Sequence, residues 1–380
     1  MMATAISFFA GAGGLDTGIH QAGFDIKLSL EIEPVFCETL RANYPDMNVV
    51  EGDISDYSRE RIYREAGLDE GQDIDLMFGG SPCQSFSTAG KRQAFEDPRG
   101  NAMLKFAQLV EETRPKVFLL ENVRGLLSAS LKHRPLRQRG EEHAPLDPEE
   151  MPGSALAHLL QHFHEYNVTY ELLKAADYGV PQSRERVFFV GVRKDLSTTY
   201  AFPAKTHDAE GGEGLPRWVT LGDVLRDLNV EEHHYPRYSP ERLYYMHMIP
   251  QGGGNWRSLP EEFVELAMGG AYESGGGKVG FYRRLWVDRP APTLLTSPIQ
   301  KSTNLGHPYE DRPISIEEYI ALQEFPKEYH VAGTLTQQYT QIGNAVPVRL
   351  ARVLGSSIMQ LLERITEIQE ANRMEATASR

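Results

Sequence analysis

Ala5-Ile6-Ser7-Phe8-Phe9-Ala10-Gly11-Ala12-Gly13-Gly14-Leu15-Asp16-Thr17 passes from an apolar run into a glycine turn and then into the polar start of a helix. Strand, glycine turn and helix in that order make the first half of a βαβ unit, with a backbone that a ligand can approach and an open helix N-terminus. Outward from it, short apolar runs recur at residues 26–30, 47–50, 74–78, 117–120, 170–175 and 186–192. The stretches 35–43, 102–113 and 155–166 between them carry helical patterning. Strands alternating with helices predict a doubly wound α/β lobe around a mostly parallel sheet. The last two strands are joined through the short link 177–181, which predicts an antiparallel edge.

The alternation stops near residue 193. Residues 203–284 are rich in Gly, Pro, His and Tyr, with glycine triplets at 252–254 and 275–277, and predict a smaller, loop-rich lobe. Trp218, Leu221, Trp256, Phe263 and Trp286 offer it a modest core. Helical patterning returns at 316–323 and 348–367. The expected division is therefore 1–193 plus 330–380 for one domain and 194–329 for the other. At 380 residues the chain suits two lobes, and its net charge of -14 excludes a protein that coats nucleic acid by bulk charge. The patch at 114–139 nonetheless holds seven Arg or Lys, against one acid. It reads either as a solvated loop or as a phosphate-tracking surface. Cys37 and Cys83 are the only cysteines, which argues against a disulfide framework or a structural metal. The chain lacks a charged leader and any apolar run of about 20 residues, so a soluble, cytoplasmic protein is expected.

The glycine turn lacks the third glycine of a dinucleotide fingerprint and has Asp16 in its place, an acid that would repel a pyrophosphate. Glu31 ends the second strand, where a carboxylate can take both hydroxyls of a ribose, and Asp53 follows the third, within reach of an adenine amine. A nucleoside without phosphates, S-adenosylmethionine, fits this set; NAD and a purely structural turn stay open. Cys83, in the loop Gly79-Gly80-Ser81-Pro82-Cys83-Gln84-Ser85-Phe86-Ser87 after the fourth strand, is either a small buried residue or a nucleophile. Glu121 ends the fifth strand, and Arg184 and Arg186 open the last. Thiol, carboxyl group and guanidinium beside a nucleoside suit attack on an electron-poor ring.

In this order the motifs resemble those of the DNA (cytosine-5)-methyltransferase family. The resemblance rests on 9–14, Glu31, Asp53, 82–87, 121–123, 182–186, 289–294 and 341–347, and leaves out roughly 90 residues before Arg289. It implies a Rossmann-like, S-adenosylmethionine-dependent lobe and a target-recognition lobe. It implies Cys83 as nucleophile, Glu121 as the acid at the base, Arg186 at the base oxygen and Arg184 in support. Phe9, Gly11, Ala12, Gly13, Gly14, Glu31, Ile32, Asp53, Pro82, Asn344 and Ala345 are implied to hold the cofactor. Ile32 stands where the family often has an aromatic ring. Double-stranded DNA is the implied partner, a cognate restriction endonuclease on the same site the expected companion, and a monomer the expected state. Ser85, Ser87, Lys91, Arg92 and Arg99 on the polar loop, and Arg283 and Arg284 in the smaller lobe, are the expected DNA contacts. A relative acting on RNA would share the catalytic residues, and a non-catalytic DNA-binding relative is the other alternative.

Overall fold

The computed structural model describes residues 2–82, 98–140, 142–212, 214–275 and 277–378, with 98–100, 136 and 376–378 described in backbone alone. Along the chain run β1 (Ala3–Phe8), α1 (Gly14–Gln21), β2 (Phe24–Glu31), α2 (Pro34–Asn43), β3 (Val49–Glu51), α3 (Arg59–Ala66), β4 (Leu76–Gly80), α4 (Pro98–Thr113), β5 (Val117–Val123) and α5 (Ser154–Leu160). There follow β6 (Tyr166–Lys174), β7 (Gln182–Ser183), β8 (Glu185–Arg193), α6 (Leu221–Asp227), α7 (Pro240–His247), α8 (Glu261–Met268), β9 (Ala291–Pro292), α9 (Ile316–Leu322), α10 (Leu335–Asn344) and α11 (Val348–Ala378).

Two compact units divide these elements: Met1–Leu173, Glu185–Ala204 and Ala351–Arg380 make the first, Lys174–Arg184 and Lys205–Leu350 the second. Segment 174–184 joins the second unit because β7 pairs in parallel with β9, Gln182 opposite Ala291, and the Gln182 amide donates to Gln323 Oε1 at 3.0 Å. Packing thus draws its lines away from the expected boundaries at 193 and 330, which concern roles.

In the first unit the sheet order is β3-β2-β1-β4-β5-β8-β6. Pairings from β3 to β5 are parallel and β8 runs antiparallel to β5. The antiparallel strand is therefore β8, inside the sheet, while β6 takes the edge. Strand order turns between β1 and β4, and in such sheets ligands bind beyond the carboxyl ends at that point. Residues 117–120 are fully buried, as a parallel strand covered on both faces requires. Phe8 meets Phe106 edge-on, and Phe118 stacks on Phe163 with centroids 4.3 Å apart. The helix expected to reach 166 ends at Leu160, because Tyr166 already opens β6 and buries against Pro115, whose carbonyl accepts its hydroxyl at 2.8 Å. The stretch Leu335–Glu375 is long and apolar enough to pass for a membrane span, yet 61% of its most apolar window is buried inside the protein, as in a core helix.

The second unit carries short helices where the sequence predicted loops. A core of Tyr245, Ile249 and Leu259, with Trp256 and Phe263 packed on it, holds α7 and α8. Helix α10, also unforeseen, opens with a capping box between Thr334 and Gln337.

Candidate active site

The turn after β1 puts Phe9, Gly11 and Gly13 at φ of 56°, 58° and 76°, a region two glycines enter without cost and Phe9 does not. Gly13 caps α1 in the left-handed conformation, leaving the helix N-terminus uncapped by any side chain. Glu31, 6% exposed, reaches this turn from the end of β2. One of its oxygens accepts from Gly11 N at 2.7 Å; the other accepts from Ile32 N at 2.9 Å and Glu33 N at 3.0 Å. Burial raises the carboxyl pKa, and the three amides work against that. Ile32 is 56% exposed beside it. Asp53 is exposed one residue past Gly52, whose N–H donates to Glu31 O, and Asp53 itself accepts from Ser55 N at 2.8 Å. Glycine turn, Glu31, Ile32 and Asp53 thus line the carboxyl edge of β1 to β3. This cradle of approachable backbone, one deep carboxylate and an exposed apolar side chain fits a nucleoside.

At the next edge, Gly80 of β4 lies opposite Glu121 of β5, and Val123 lies opposite Arg186 of β8. Glu121 is 7% exposed, and Arg186 Nε lies 2.9 Å from its Oε1. A Cβ on Gly80 would stand 3.0 Å from Glu121 Oε2, so a bare backbone at 80 keeps that oxygen clear. Asn122, fully buried, donates to the Ser81 hydroxyl at 2.8 Å, tying the exit of β4 to β5 just before Pro82. Neither Asn122 nor Ser81 was assigned a role from sequence; the signal available was an amide inside an apolar strand, which must find a partner. Cys83 follows Pro82 and lies outside the described residues, as do Ser85, Ser87, Lys91 and Arg92; Arg99 is described in backbone only, within α4.

Arg184 belongs to the second unit, where its buried guanidinium donates to Gly343 O at 2.9 Å, Asn344 O at 2.9 Å and Leu294 O at 3.4 Å. There Asn344 is exposed at the end of α10, and Ala345 is buried with its carbonyl accepting from Gln323. Arg284 corrects an expectation. It is 1% exposed, and its guanidinium donates to the carbonyls of Met246, Ile249, His307 and Glu310 and pairs with Asp311 at 2.5 Å. A group so enclosed cannot reach a DNA groove. Arg283 is half-buried, with Nε donating to Asn304 O at 2.9 Å. The basic patch is also largely spoken for: Arg114, Lys116, Arg124, Lys132 and Arg134 pair with Glu165, Asp75, Glu185, Glu149 and Glu150. That pairing favours a neutralised loop over a phosphate track.

A family model described as C-5 cytosine-specific DNA methylase matches residues 3–360. The chain is 38% identical over 372 residues to the type II methyltransferase M.Eco47II of Escherichia coli, covering 96% of this chain and 80% of that one. It is 38% identical to M.Sau96I of Staphylococcus aureus, covering 93% and 75%. Among solved structures, one named as a putative DNA modification methyltransferase encoded within a prophage (E. coli) superposes with a TM-score of 0.63 at 26% identity, covering 95% and 99%.

Proposed function

The chain belongs to the C-5 cytosine-specific DNA methylase family, and on that premise we propose that it methylates one cytosine within a short duplex sequence, using S-adenosylmethionine, a covalent Cys83 adduct and a base turned out of the stack. The observation that carries this reading is the pairing of Glu121 on β5 with Arg186 on the neighbouring β8, Glu121 standing opposite Gly80 at the β4 exit, three residues before Cys83 in sequence. Carbon 6 of cytosine is out of reach in a stacked duplex, so the base must leave it.

In the proposed reaction the Cys83 thiolate bonds to carbon 6, and the ring electrons shift to make carbon 5 nucleophilic. Glu121, in its protonated form, donates a hydrogen bond to ring nitrogen 3 and so stabilises the charge that develops there, while Arg186 donates to the base oxygen. When bound, S-adenosylmethionine supplies a methyl group made electrophilic by its sulfonium. Loss of the carbon 5 proton then expels the Cys83 thiolate and restores the aromatic ring. Phe9, the glycine turn, Glu31, Ile32, Asp53 and Pro82 would hold the cofactor, with Asn344 and Ala345 proposed by resemblance. As a modification enzyme it would work in the cytoplasm, alongside an endonuclease that cuts the same site.

The test is transfer from methyl-labelled S-adenosylmethionine to duplex DNA or tRNA, followed by nucleoside analysis. Label in 5-methyldeoxycytidine at one repeated sequence is expected. Label in tRNA alone would move the reading to the RNA-directed alternative, and DNA binding without transfer to a non-catalytic one.

A further inference from the structure

The first turn of α1 holds an acid that the proposed reaction does not use. Asp16 is 1% exposed, and its Oδ1 accepts from the Ser29 hydroxyl at 2.7 Å. Its Oδ2 is buried without a hydrogen bond of good geometry, as is Ser7 Oγ on β1, the second hydroxyl that acts on this carboxyl. Burial pushes the carboxyl up to about 6, with Ser29 and Ser7 drawing it back down. At neutral pH a negative charge is therefore kept inside the protein with two hydroxyls beside it as its side-chain donors. Folding gains little from that beyond the favourable end of a helix dipole.

The position of this charge suggests its use. Ser29 stands two residues before Glu31 on β2, and Glu31 in turn holds Gly11 N, so Asp16, Ser29, Glu31 and Gly11 frame the turn. Glu31, Tyr44 of α2 and His20 of α1 are the titratable groups around it: Glu31 and Tyr44 are both raised by burial, and the Tyr44 hydroxyl donates to Thr17 at 2.7 Å. Among the described residues, the side chains that bear most on the Asp16 carboxyl are Ser29, Ser7 and Glu31. The sulfonium of S-adenosylmethionine is bonded to the ribose 5′ carbon, so a ribose on Glu31 brings a positive sulfur to this strand end.

We propose that Asp16 is an electrostatic selector: its buried carboxylate, without touching the ligand, favours the cationic S-adenosylmethionine over the uncharged thioether S-adenosylhomocysteine and so promotes exchange of product for substrate. This rests on the S-adenosylmethionine reading above. A full charge acting through a partly desolvated interior at several ångströms shifts affinity by about tenfold.

Calorimetric titration of the full-length protein with each ligand at pH 7.5 tests it. Asp16→Asn is expected to weaken S-adenosylmethionine by about tenfold and S-adenosylhomocysteine by less than about twofold. Equal weakening of both ligands, or of neither, overturns the selector and leaves the cofactor reading standing. A wild-type protein that binds neither overturns both. Should Asp16→Asn not fold, the wild-type affinity ratio between pH 7.5 and 5 gives the same answer, falling as Asp16 takes up its proton. Ser29→Ala, which removes a bond to the ionised form, is expected to move that fall to higher pH. A ratio that stays flat, or a midpoint indifferent to Ser29, counts against the proposal.

Discussion

The β1–β2 edge and the β4–β5 edge of the same sheet treat their acids in opposite ways. At the first, Asp16 and Glu31 are buried against hydroxyl and backbone N–H donors, and the shifts of both are led by burial. At the second, Glu121 is held by the Arg186 guanidinium. Acids that have hydroxyl and N–H donors beside them favour a positively charged ligand more than does an acid already paired with a guanidinium, which favours a neutral one such as a nucleobase. On the proposed function, one sheet edge would hold a cationic methyl donor and a neutral acceptor side by side.

The largest effects are expected at the acceptor side. Cys83→Ser is expected to abolish transfer in a steady-state methylation assay while DNA affinity in a gel-shift titration stays within about twofold. Glu121→Gln is expected to lower kcat by about a hundredfold or more, with cofactor affinity nearly unchanged. At the donor side the pattern reverses: Glu31→Gln is expected to weaken S-adenosylmethionine by about tenfold or more in calorimetry, through loss of charge-assisted hydrogen bonds, with a smaller effect on kcat.

Two smaller effects are read in stability. Arg284→Met removes the buried guanidinium that four carbonyls and Asp311 share and is expected to cost about 3 kcal/mol in urea unfolding. Asp16→Asn is expected to do the opposite at neutral pH. The folded carboxyl binds its proton more tightly than the unfolded one, about 6 against 3.8, so the ionised residue opposes folding above that window. The variant should gain on wild type as pH rises from about 4 to 6, by up to about 3 kcal/mol. A variant that loses stability at pH 7.5 would show the buried charge to be structurally required.

The parts of this molecule that were legible beforehand are those where local pattern and chemistry coincide. Apolar runs ending in Gly or an acid placed β1, β2, β4 and β5, and with them Glu31 and Glu121, because a strand end is a local event. The smaller lobe was hidden for the converse reason. Arg283-Arg284 looks like a surface cluster in sequence, yet Arg284 is drawn inside by carbonyls from 246, 249, 307 and 310 that only the folded chain brings together. Arg184 and Arg186 read as one motif and part company, one bound to carbonyls near 343 and the other to Glu121, since β7 leaves to pair with β9 before β8 begins. Helix α10 was missed because its residues are mostly polar, and its start depends on the Thr334 cap more than on an apolar stripe.

The most direct test of the covalent route uses duplex DNA with 5-fluorocytosine in place of cytosine, incubated with labelled S-adenosylmethionine and run on a denaturing gel. Fluorine at carbon 5 cannot leave as a proton does, so the account predicts a protein–DNA adduct that survives denaturation and is absent in Cys83→Ala. Methyl transfer to ordinary duplex with no trapped adduct, or an adduct that persists in Cys83→Ala, would contradict it.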